Sequence, residues 1–231
     1  MPTIKVRSAG IDDVNECAQI VVEAYSTLES NDLMFPNESK SRNKLIQGRI
    51  DQFTPHLLQE PSDPHHVTQY RVACFEEESG AERTAALLRW SISTVEDSVS
   101  NDSDTIVDAA VADKLALLGP EYVNVDIFRA FRLAREQKHI QWFQGKGQHI
   151  FIHTLAVSPN CQRMGCGAAL MKCMTKEADE LGLMCYLEAS DEGKPLYLKN
   201  GFEEVEKMFV QSPTDGQSFT LTLMIRPAKK Q

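Results

Sequence analysis

The residues with the clearest chemical potential lie between positions 151 and 168, where an apolar segment leads into a glycine-bearing helix start. Residues 151–157 predict a strand, and Ser158-Pro159 ends it. Gly165 and Gly167 then stand at the beginning of a predicted helix. Such a helix start presents unpaired backbone N–H groups and the positive end of the helix dipole, which together hold a phosphate or pyrophosphate. The sequence therefore predicts that a phosphorylated compound binds here.

The elements after this motif follow a regular order. Apolar residues recur at helical spacing from Cys166 onward and predict a helix of about four turns, with Gly182 where a left-handed C-terminal cap belongs. The later predicted elements are a strand at residues 184–189, a short helix at 194–199, and a closing hairpin at 203–210 and 219–225. We expect the strands on either side of the long helix to be parallel neighbours joined by a right-handed crossover.

The preceding part of the chain alternates helices and strands. The predicted elements are a strand at residues 4–9, helices at 11–25 and 39–56, and a hairpin of strands at 67–75 and 83–95. An acidic segment follows, and residues 96–148 are predicted to form a helical insertion. Its aromatic residues could cover a compact pocket or extend the core, and the sequence leaves both open. These residues are Tyr122, Phe128, Phe131, Trp142 and Phe143.

The composition limits the classes of function. With 231 residues, of which 42% are hydrophobic and 25% charged, the chain is expected to form a single domain with one well-buried core. A net charge of −9 disfavours a broad basic face for nucleic acid and leaves room for an acidic cleft that binds a cationic substrate. The first residues lack an apolar signal core, and no apolar run approaches the ~20 residues that cross a bilayer. We therefore expect a cytoplasmic monomer or homodimer that binds neither nucleic acid nor membrane.

The cysteines and histidines do not suggest a metal site. No two of the six cysteines form a C-x-x-C motif, and they lie largely in apolar segments, as is typical of reduced cysteines in a protein core. His65-His66 follows Pro61 and Pro64, which mark a loop, and no third ligand lies at a recognisable spacing, so no metal is expected.

Two motifs together resemble a known family. The pattern Gln162-x-x-Gly165-x-Gly167-Ala168 after an apolar strand, followed by Tyr197-x-x-x-Gly201-Phe202, is similar to the acetyl-CoA-binding core of the GCN5-related N-acetyltransferase (GNAT) superfamily. The resemblance is strongest to puromycin N-acetyltransferase-like members, in the amino-acid sequence of residues 157–162, 187–190, 196–197 and 224–227. The resemblance implies an α/β (α+β) fold with a central mixed, twisted sheet flanked by helices. It also implies one N-acetyltransferase domain over residues 1–231, with the acetyl-CoA-binding core at 149–210.

The resemblance assigns acetyl-CoA, the acetyl donor, to the glycine motif. The amides of the helix start would bind the pyrophosphate, and glycine would let the backbone come close to it. The resemblance further implies that the strand at 151–157 splays away from the strand at 184–189, so that the pantetheine arm can pair with its free edge. The residues expected to bind acetyl-CoA are Leu155, Ala156, Val157, Gln162, Arg163, Met164, Gly165, Cys166, Gly167 and Ala168.

Direct acetyl transfer needs a neutral amine, a polarised carbonyl and a proton for the departing thiolate. Tyr197 stands where the resemblance places a tyrosine acid, and a phenol with a pKa of ~10 is well matched to a thiolate leaving group. The resemblance predicts a glutamate or histidine base on the strand before the glycine motif, near the position that Phe151 occupies. His153, expected on the same face, and Glu188 on the next strand are the two candidates; a water relay or a residue of the N-terminal half remains open. If His153 acts, its pKa is expected near ~6.5, with a shift of about a unit in either direction.

The predicted activity is therefore acetyl-CoA-dependent transfer of an acetyl group to a primary amine, with a small molecule as the expected acceptor. Two other classes remain open from the sequence, namely a protein or peptide N-acetyltransferase and a non-catalytic acyl-CoA-binding sensor. An aromatic insertion that covers a compact pocket would favour a small amine, whereas a peptide needs an open groove.

Overall fold

The computed structural model describes residues 3–36, 38–58, 68–76, 81–94 and 103–229. Its strands are β1 (Ile4–Ser8), β2 (Thr68–Glu76), β3 (Glu82–Thr94), β4 (Gln148–Val157), β5 (Met184–Ala189), β6 (Glu203–Gln211) and β7 (Ser218–Arg226). Its α-helices are α1 (Val14–Tyr25), α2 (Glu29–Met34), α3 (Glu38–Leu58), α4 (Ser103–Leu118), α5 (Val125–Phe143), α6 (Cys166–Leu181) and α7 (Lys194–Lys199). Short α2 was not predicted, because its polar residues show no helical apolar period. The turn of the predicted hairpin, at 76–82, lies outside the described residues at 77–80, as do His65, His66 and residues 96–102 of the acidic segment.

The strands form one mixed sheet in the order β1-β2-β3-β4-β5-β7-β6. Strands β4 and β5 are parallel, as predicted for the strands that α6 connects, and the other neighbours are antiparallel. The closing hairpin of β6 and β7 is confirmed. Its second strand, β7, pairs with β5, so β6 becomes the edge of the sheet. The mixed sheet with helices on both faces is the fold class that the sequence predicted.

Side-chain alternation along the strands separates the helices into two layers. On one face α6 buries an apolar stripe of Leu170, Met171, Met174 and Ala178 at helical spacing. On the other face, α1 and α3 cover β2, β3 and β4, while α5 with α2 and α4 covers β5, β6 and β7. In β5, for example, Cys185 and Leu187 face α6, whereas Tyr186 between them faces the α5 layer.

The helices predicted within residues 96–148 are present as α4 and α5. Their aromatic side chains extend the core, which is one of the two alternatives that the sequence left open. Phe128 and Phe143 are buried in the same apolar cluster as Tyr186 and Phe219, and Tyr122, Phe131 and Trp142 pack partly buried against it. Five of the cysteines are buried and Cys173 is half-buried, as expected of core cysteines. Among the described residues, no helix is long and apolar enough to cross a membrane.

Candidate functional site

The parallel strands β4 and β5 separate partway along their length. They pair only at His149 with Met184, Ile150 with Cys185, and Phe151 with Tyr186. Beyond that point, and among the residues that the structure describes, β4 remains paired only with β3, and β5 only with β7. We call this opening, between residues 152–157 of β4 and 187–189 of β5, the fork. It is the splay that the family resemblance implied.

The inner edge of β4 faces the fork. Leu155, Ala156 and Val157 pair with β3 on one side, and within the described residues no strand pairs with them on the other. Ala156 packs in the α1 layer, whereas Leu155 and Val157 pack partly buried on the α6 side. Because backbone amides and carbonyls require partners when buried, this edge suits an extended, amide-containing ligand.

The start of α6 lies directly after β4. Gly165 is the N-cap residue and has φ of 97°, and Arg163 is also left-handed with φ of 61°. The amide of Ala169 donates to the carbonyl of Gly165 at 2.9 Å, so the amides of Cys166, Gly167 and Ala168 precede the first hydrogen bond of the helix. Gln162, Arg163, Met164 and Gly165 are exposed. An anion can therefore reach these amides at the positive end of the helix dipole.

The two motif glycines have structural roles that the sequence analysis did not anticipate. The left-handed φ of Gly165 disfavours any residue with a Cβ. A Cβ on Gly167 would lie 3.2 Å from Leu196 Cδ2 and 3.4 Å from Val157 Cγ2. At Gly167, β4, α6 and α7 thus come into contact. The backbone conformation and the local packing therefore restrict side chains at these positions, in addition to any bound ligand.

The thiol of Cys166 lies at the beginning of α6 and is buried. Burial raises its pKa, with Cys161 as a further contribution, so the group remains a neutral thiol rather than a nucleophilic thiolate.

Tyr197 lies on α7, which follows β5 along the chain. Its side chain is 8% exposed and its ring packs edge-on against Phe202 at 5.8 Å between centroids. Burial, with a smaller contribution from Tyr25, raises the pKa of the Tyr197 hydroxyl above its ordinary value. The preceding residue, Leu196, lies next to Gly167 of the glycine motif. The pKa of ~10 expected from the sequence is therefore too low, and Tyr197 keeps its proton at neutral pH more firmly than a free phenol does.

His153 occupies a β-bulge in β4. Trp90 pairs with Ile152 and Arg89 pairs with Thr154, so His153 is the extra residue that the register skips. Its Nε2 forms a 2.8 Å hydrogen bond with Ser91 Oγ, and its ring lies 4.6 Å from that of Phe151. This contact confirms that Phe151 and His153 share a face.

The charge state of His153 differs from the expectation. Burial, reinforced by the positive charges of Arg89 and Arg135 and by contributions from His139 and Arg132, lowers its pKa well below the ordinary value. The expectation of a pKa near that of free histidine is therefore wrong, because the ring is desolvated among cations.

Glu188, the other candidate base, lies on β5 beyond the last pair with β4. Its side chain is 7% exposed and accepts a hydrogen bond from Arg135 Nε at 3.3 Å. The Arg135 guanidinium also lies 4.6 Å from the Phe151 ring centroid. His153 and Glu188 thus stand on the two sides of the fork, on the face that α5 covers.

Sequence reasoning missed the basic residues of this face. Arg132 and Arg135 of α5, with Arg89 of β3, all contribute to the lowered pKa of His153. The signal was present in the spacing of α5, because Arg132, Arg135 and His139 share a helix face with buried Phe128 and Phe143. Among the described residues, no group of three or more His, Cys, Asp or Glu side chains is arranged to hold a metal ion.

Comparisons with known proteins agree with this geometry. Residues 129–204, which contain the fork, α6 and α7, match the model of an acetyltransferase (GNAT) domain. An acetyltransferase of Stachybotrys chartarum is 24% identical over 235 residues, covering 99% of this chain and 93% of that protein.

Solved structures share the fold over almost the whole chain. A Drosophila melanogaster polyamine N-acetyltransferase that forms N-acetylagmatine has a TM-score of 0.61 at 13% identity, covering 96% of this chain and 99% of that one. The PaiA N-acetyltransferase of Thermoplasma acidophilum, solved with coenzyme A, has a TM-score of 0.54 at 12% identity, covering 97% and 99%.

Proposed function

Since this chain belongs to the GNAT superfamily and is an N-acetyltransferase, we propose that it transfers an acetyl group from acetyl-CoA directly to the primary amine of a small molecule. The observation that carries this proposal is the fork between β4 and β5, which opens beside the exposed start of α6. A pyrophosphate, an amide-rich arm and a thioester are joined in that order in acetyl-CoA. The helix start, the free edge of β4 and the fork offer matching environments in the same order.

The donor would be held chiefly by backbone groups. The amides of residues 163–168 would bind the pyrophosphate, and Leu155, Ala156 and Val157 would pair with the pantetheine amides. Bound acetyl-CoA supplies the activated acetyl group. A relative of the same fold that was solved with coenzyme A supports this assignment.

Tyr197 would act as the general acid. In the transfer, a C–N bond forms between the amine and the acyl carbon, and the C–S bond breaks. Tyr197 would donate its proton to the departing sulfur, and its raised pKa ensures that the proton is present at neutral pH.

His153 would accept the proton that the amine loses. Its lowered pKa keeps the imidazole neutral at physiological pH, so a ring nitrogen is able to accept. The amine nitrogen becomes strongly acidic as it bonds to the acyl carbon, and a weak base is then sufficient. Glu188 is the less favoured base because its carboxylate already accepts a hydrogen bond from Arg135.

A free-thiol assay with acetyl-CoA tests the proposed function. The panel should contain aryl amines, alkyl polyamines, aminoacyl nucleosides, amino acids and a histone-like peptide. Thiol release with a small amine, with the acetylated product confirmed by mass spectrometry, supports the proposal. Release with the peptide alone would assign the chain to the protein acetyltransferases. Calorimetric binding of acetyl-CoA without release by any amine would indicate a sensor and would contradict the proposal.

A further inference from the structure

Helix α5 presents an unusual face to the sheet. Its inward residues are Phe128, Arg132, Arg135, His139 and Phe143, which recur every three or four positions. A helix packed against a sheet normally buries an apolar stripe. Here only the two ends of the stripe are aromatic, and its centre is basic. This basic centre requires an explanation beyond packing.

The basic centre of α5 lies over the fork. Arg135 reaches Glu188 of β5 and the ring of Phe151 of β4, so it spans both strands at the point where they separate. Arg132 lies one turn earlier on the same helix face. These contacts place the two guanidinium groups beside the site that we propose for the reacting amine.

A third guanidinium approaches the same place from β3. Arg89 lies between Leu88 and Trp90, whose side chains face α6, and therefore points to the opposite face, toward the α1 and α5 layers. Two residues along β3, Ser91 holds His153 through the 2.8 Å hydrogen bond. The start of α6, where the pyrophosphate would bind, lies on the other face of the sheet. The basic residues are therefore positioned for the acceptor rather than for the phosphates of acetyl-CoA.

The charges around this cleft do not balance within the described residues. Arg135 has Glu188, and the charges of Glu136 and Glu188 also act on Arg132, but the Nε atoms of Arg89 and Arg132 are buried without a hydrogen-bond partner there. Lys114 of α4 adds to the imbalance: burial, with Arg49 and Arg132, lowers its pKa to about 8. Buried cations are stable when paired, and the chain as a whole is acidic with a net charge of −9. A local excess of positive charge in such a protein indicates a site for an anion.

We propose that the acceptor is a small amine that also carries a carboxylate, and that Arg132 and Arg89 bind this carboxylate while the amine lies at the fork. The inference rests on the proposed acetyl transfer and specifies its substrate class. A planar guanidinium suits a carboxylate because it can form two parallel hydrogen bonds with it. The same cations disfavour an ammonium group, so the acceptor enters with its amine neutral, as the reaction needs. Amines with more than one positive charge, such as agmatine, are poor acceptors for this site.

Matched pairs of acceptors test the proposal on the unmodified protein. Each pair contains an amine and its carboxylated counterpart, namely agmatine and arginine, putrescine and ornithine, and tryptamine and tryptophan. We expect the carboxylated member to have the higher kcat/KM in at least one pair, by about tenfold or more, because a charged hydrogen-bonded pair is gained. Calorimetric binding in the presence of coenzyme A should show the same preference without relying on turnover.

Two arginines of α5 provide a matched comparison. Arg132→Gln should reduce the preference for the carboxylated member about tenfold, mainly through KM, and Arg132→Lys should restore part of it because the charge returns. Arg129→Gln should leave the preference unchanged, because Arg129 pairs with Asp104 and Asp108 on the outer side of the helix. Acetyl-CoA affinity and the unfolding midpoint, measured for each variant, show whether the fold is intact.

The outcomes separate this proposal from the proposed function. The acid-acceptor proposal is supported if the wild-type protein prefers the carboxylated members, Arg132→Gln loses this preference and Arg129→Gln keeps it. If the wild-type protein acetylates only the members without a carboxylate, or binds no carboxylated member, the acid-acceptor proposal is overturned and the proposed acetyl transfer is retained. A carboxylate preference that Arg132→Gln does not change overturns the assignment of this residue. Binding of carboxylated amines without thiol release from any amine contradicts the proposed function, and it overturns the role of these compounds as acceptors while retaining the carboxylate site.

Discussion

At the residue scale, burial acts in opposite directions on the two proposed catalytic side chains. It raises the pKa of Tyr197 and lowers the pKa of His153, because a low-dielectric surrounding disfavours the charged form of each. Tyrosine is neutral when protonated and histidine is neutral when deprotonated. Burial therefore keeps the proposed acid protonated at neutral pH and leaves one ring nitrogen of the proposed base unprotonated.

The role of Tyr197 is tested by Tyr197→Phe, which keeps the ring against Phe202 and removes the proton. We expect kcat to fall by roughly 10²-fold or more, the usual effect of losing a general acid. The affinity for acetyl-CoA, measured by calorimetry, should change little. Wild-type kcat at saturating substrate would show that Tyr197 serves only in packing.

The role of His153 is tested by the pH dependence of kcat/KM. The neutral imidazole is the active form, so a lowered pKa extends activity to lower pH, and the acid limb should lie well below ~6.5. Burial and the charges of Arg89, Arg135, His139 and Arg132 keep the pKa of His153 low, and Arg135 is itself paired with Glu188 of β5. Arg132→Gln should therefore move the limb upward.

Paired substitutions identify the base. His153→Ala should remove the limb, and Glu188→Gln should retain it. A limb that disappears only in Glu188→Gln would assign the role to the glutamate. A limb unchanged in both variants would assign proton removal to water or to another residue and reject our assignment.

At the element scale, helix α6 begins and ends with a left-handed glycine. Gly165 has φ of 97° and Gly182 has φ of 66°. A residue with a Cβ is strained in both conformations, but only the first glycine lies at the proposed pyrophosphate site. Substitution of Gly165 therefore tests the proposed pyrophosphate site, and substitution of Gly182 is its control.

We expect Gly165→Ala and Gly182→Ala each to lower the free energy of unfolding by about 1–2 kcal/mol, the cost of the left-handed conformation. Only Gly165→Ala should also weaken acetyl-CoA binding, because it disturbs the amides that would hold the pyrophosphate. Urea denaturation and calorimetry measure the two quantities. Equal acetyl-CoA affinity in the two variants would reject the pyrophosphate site.

At the scale of the whole molecule, a buried histidine pair joins the α5 layer to the sheet. His139 of α5 and His149 of β4 approach at 2.7 Å between their Nε2 atoms, and Phe143 stacks on His149 at 3.8 Å. Burial, with the charges of His149 and Arg135, lowers the pKa of His139 to about 3. Burial lowers that of His149 to about 4, partly offset by a hydrogen bond with the Gly147 carbonyl. Both rings are neutral in the folded protein.

This pair predicts a loss of stability in mild acid. The unfolded chain takes up protons near pH ~6.5, whereas the folded rings resist protonation to about pH 4, so the unfolded state binds more protons between these values. The free energy of unfolding should therefore fall by roughly 2–4 kcal/mol from pH 7 to pH 5. Urea denaturation at the two pH values measures it. His139→Gln should flatten the dependence, and an equal slope in that variant would contradict the interpretation.

The sequence alone was sufficient for features that depend on neighbouring residues. Strand β4, helix α6 with its two glycines, β5, α7 and the hairpin of β6 and β7 lie where periodicity and turn residues placed them. The family resemblance named the tyrosine of α7 and the two base candidates from the sequence, and their roles stay predictions. Local backbone preference and a repeating apolar pattern are properties of short segments, which explains why they can be read before folding.

The tertiary structure decided what depends on residues far apart in the chain. In the folded protein β7 lies between β5 and β6, and the aromatic residues of α5 pack in the core. Folding also brings the charges of Arg89, Arg132 and Arg135 close enough to lower the pKa of His153 at the fork. The pattern of α5 predicts a helix but not which sheet face receives its arginines. Likewise, the pKa of His153 depends on burial and on charges from β3 and α5, and neither exists until those elements pack together.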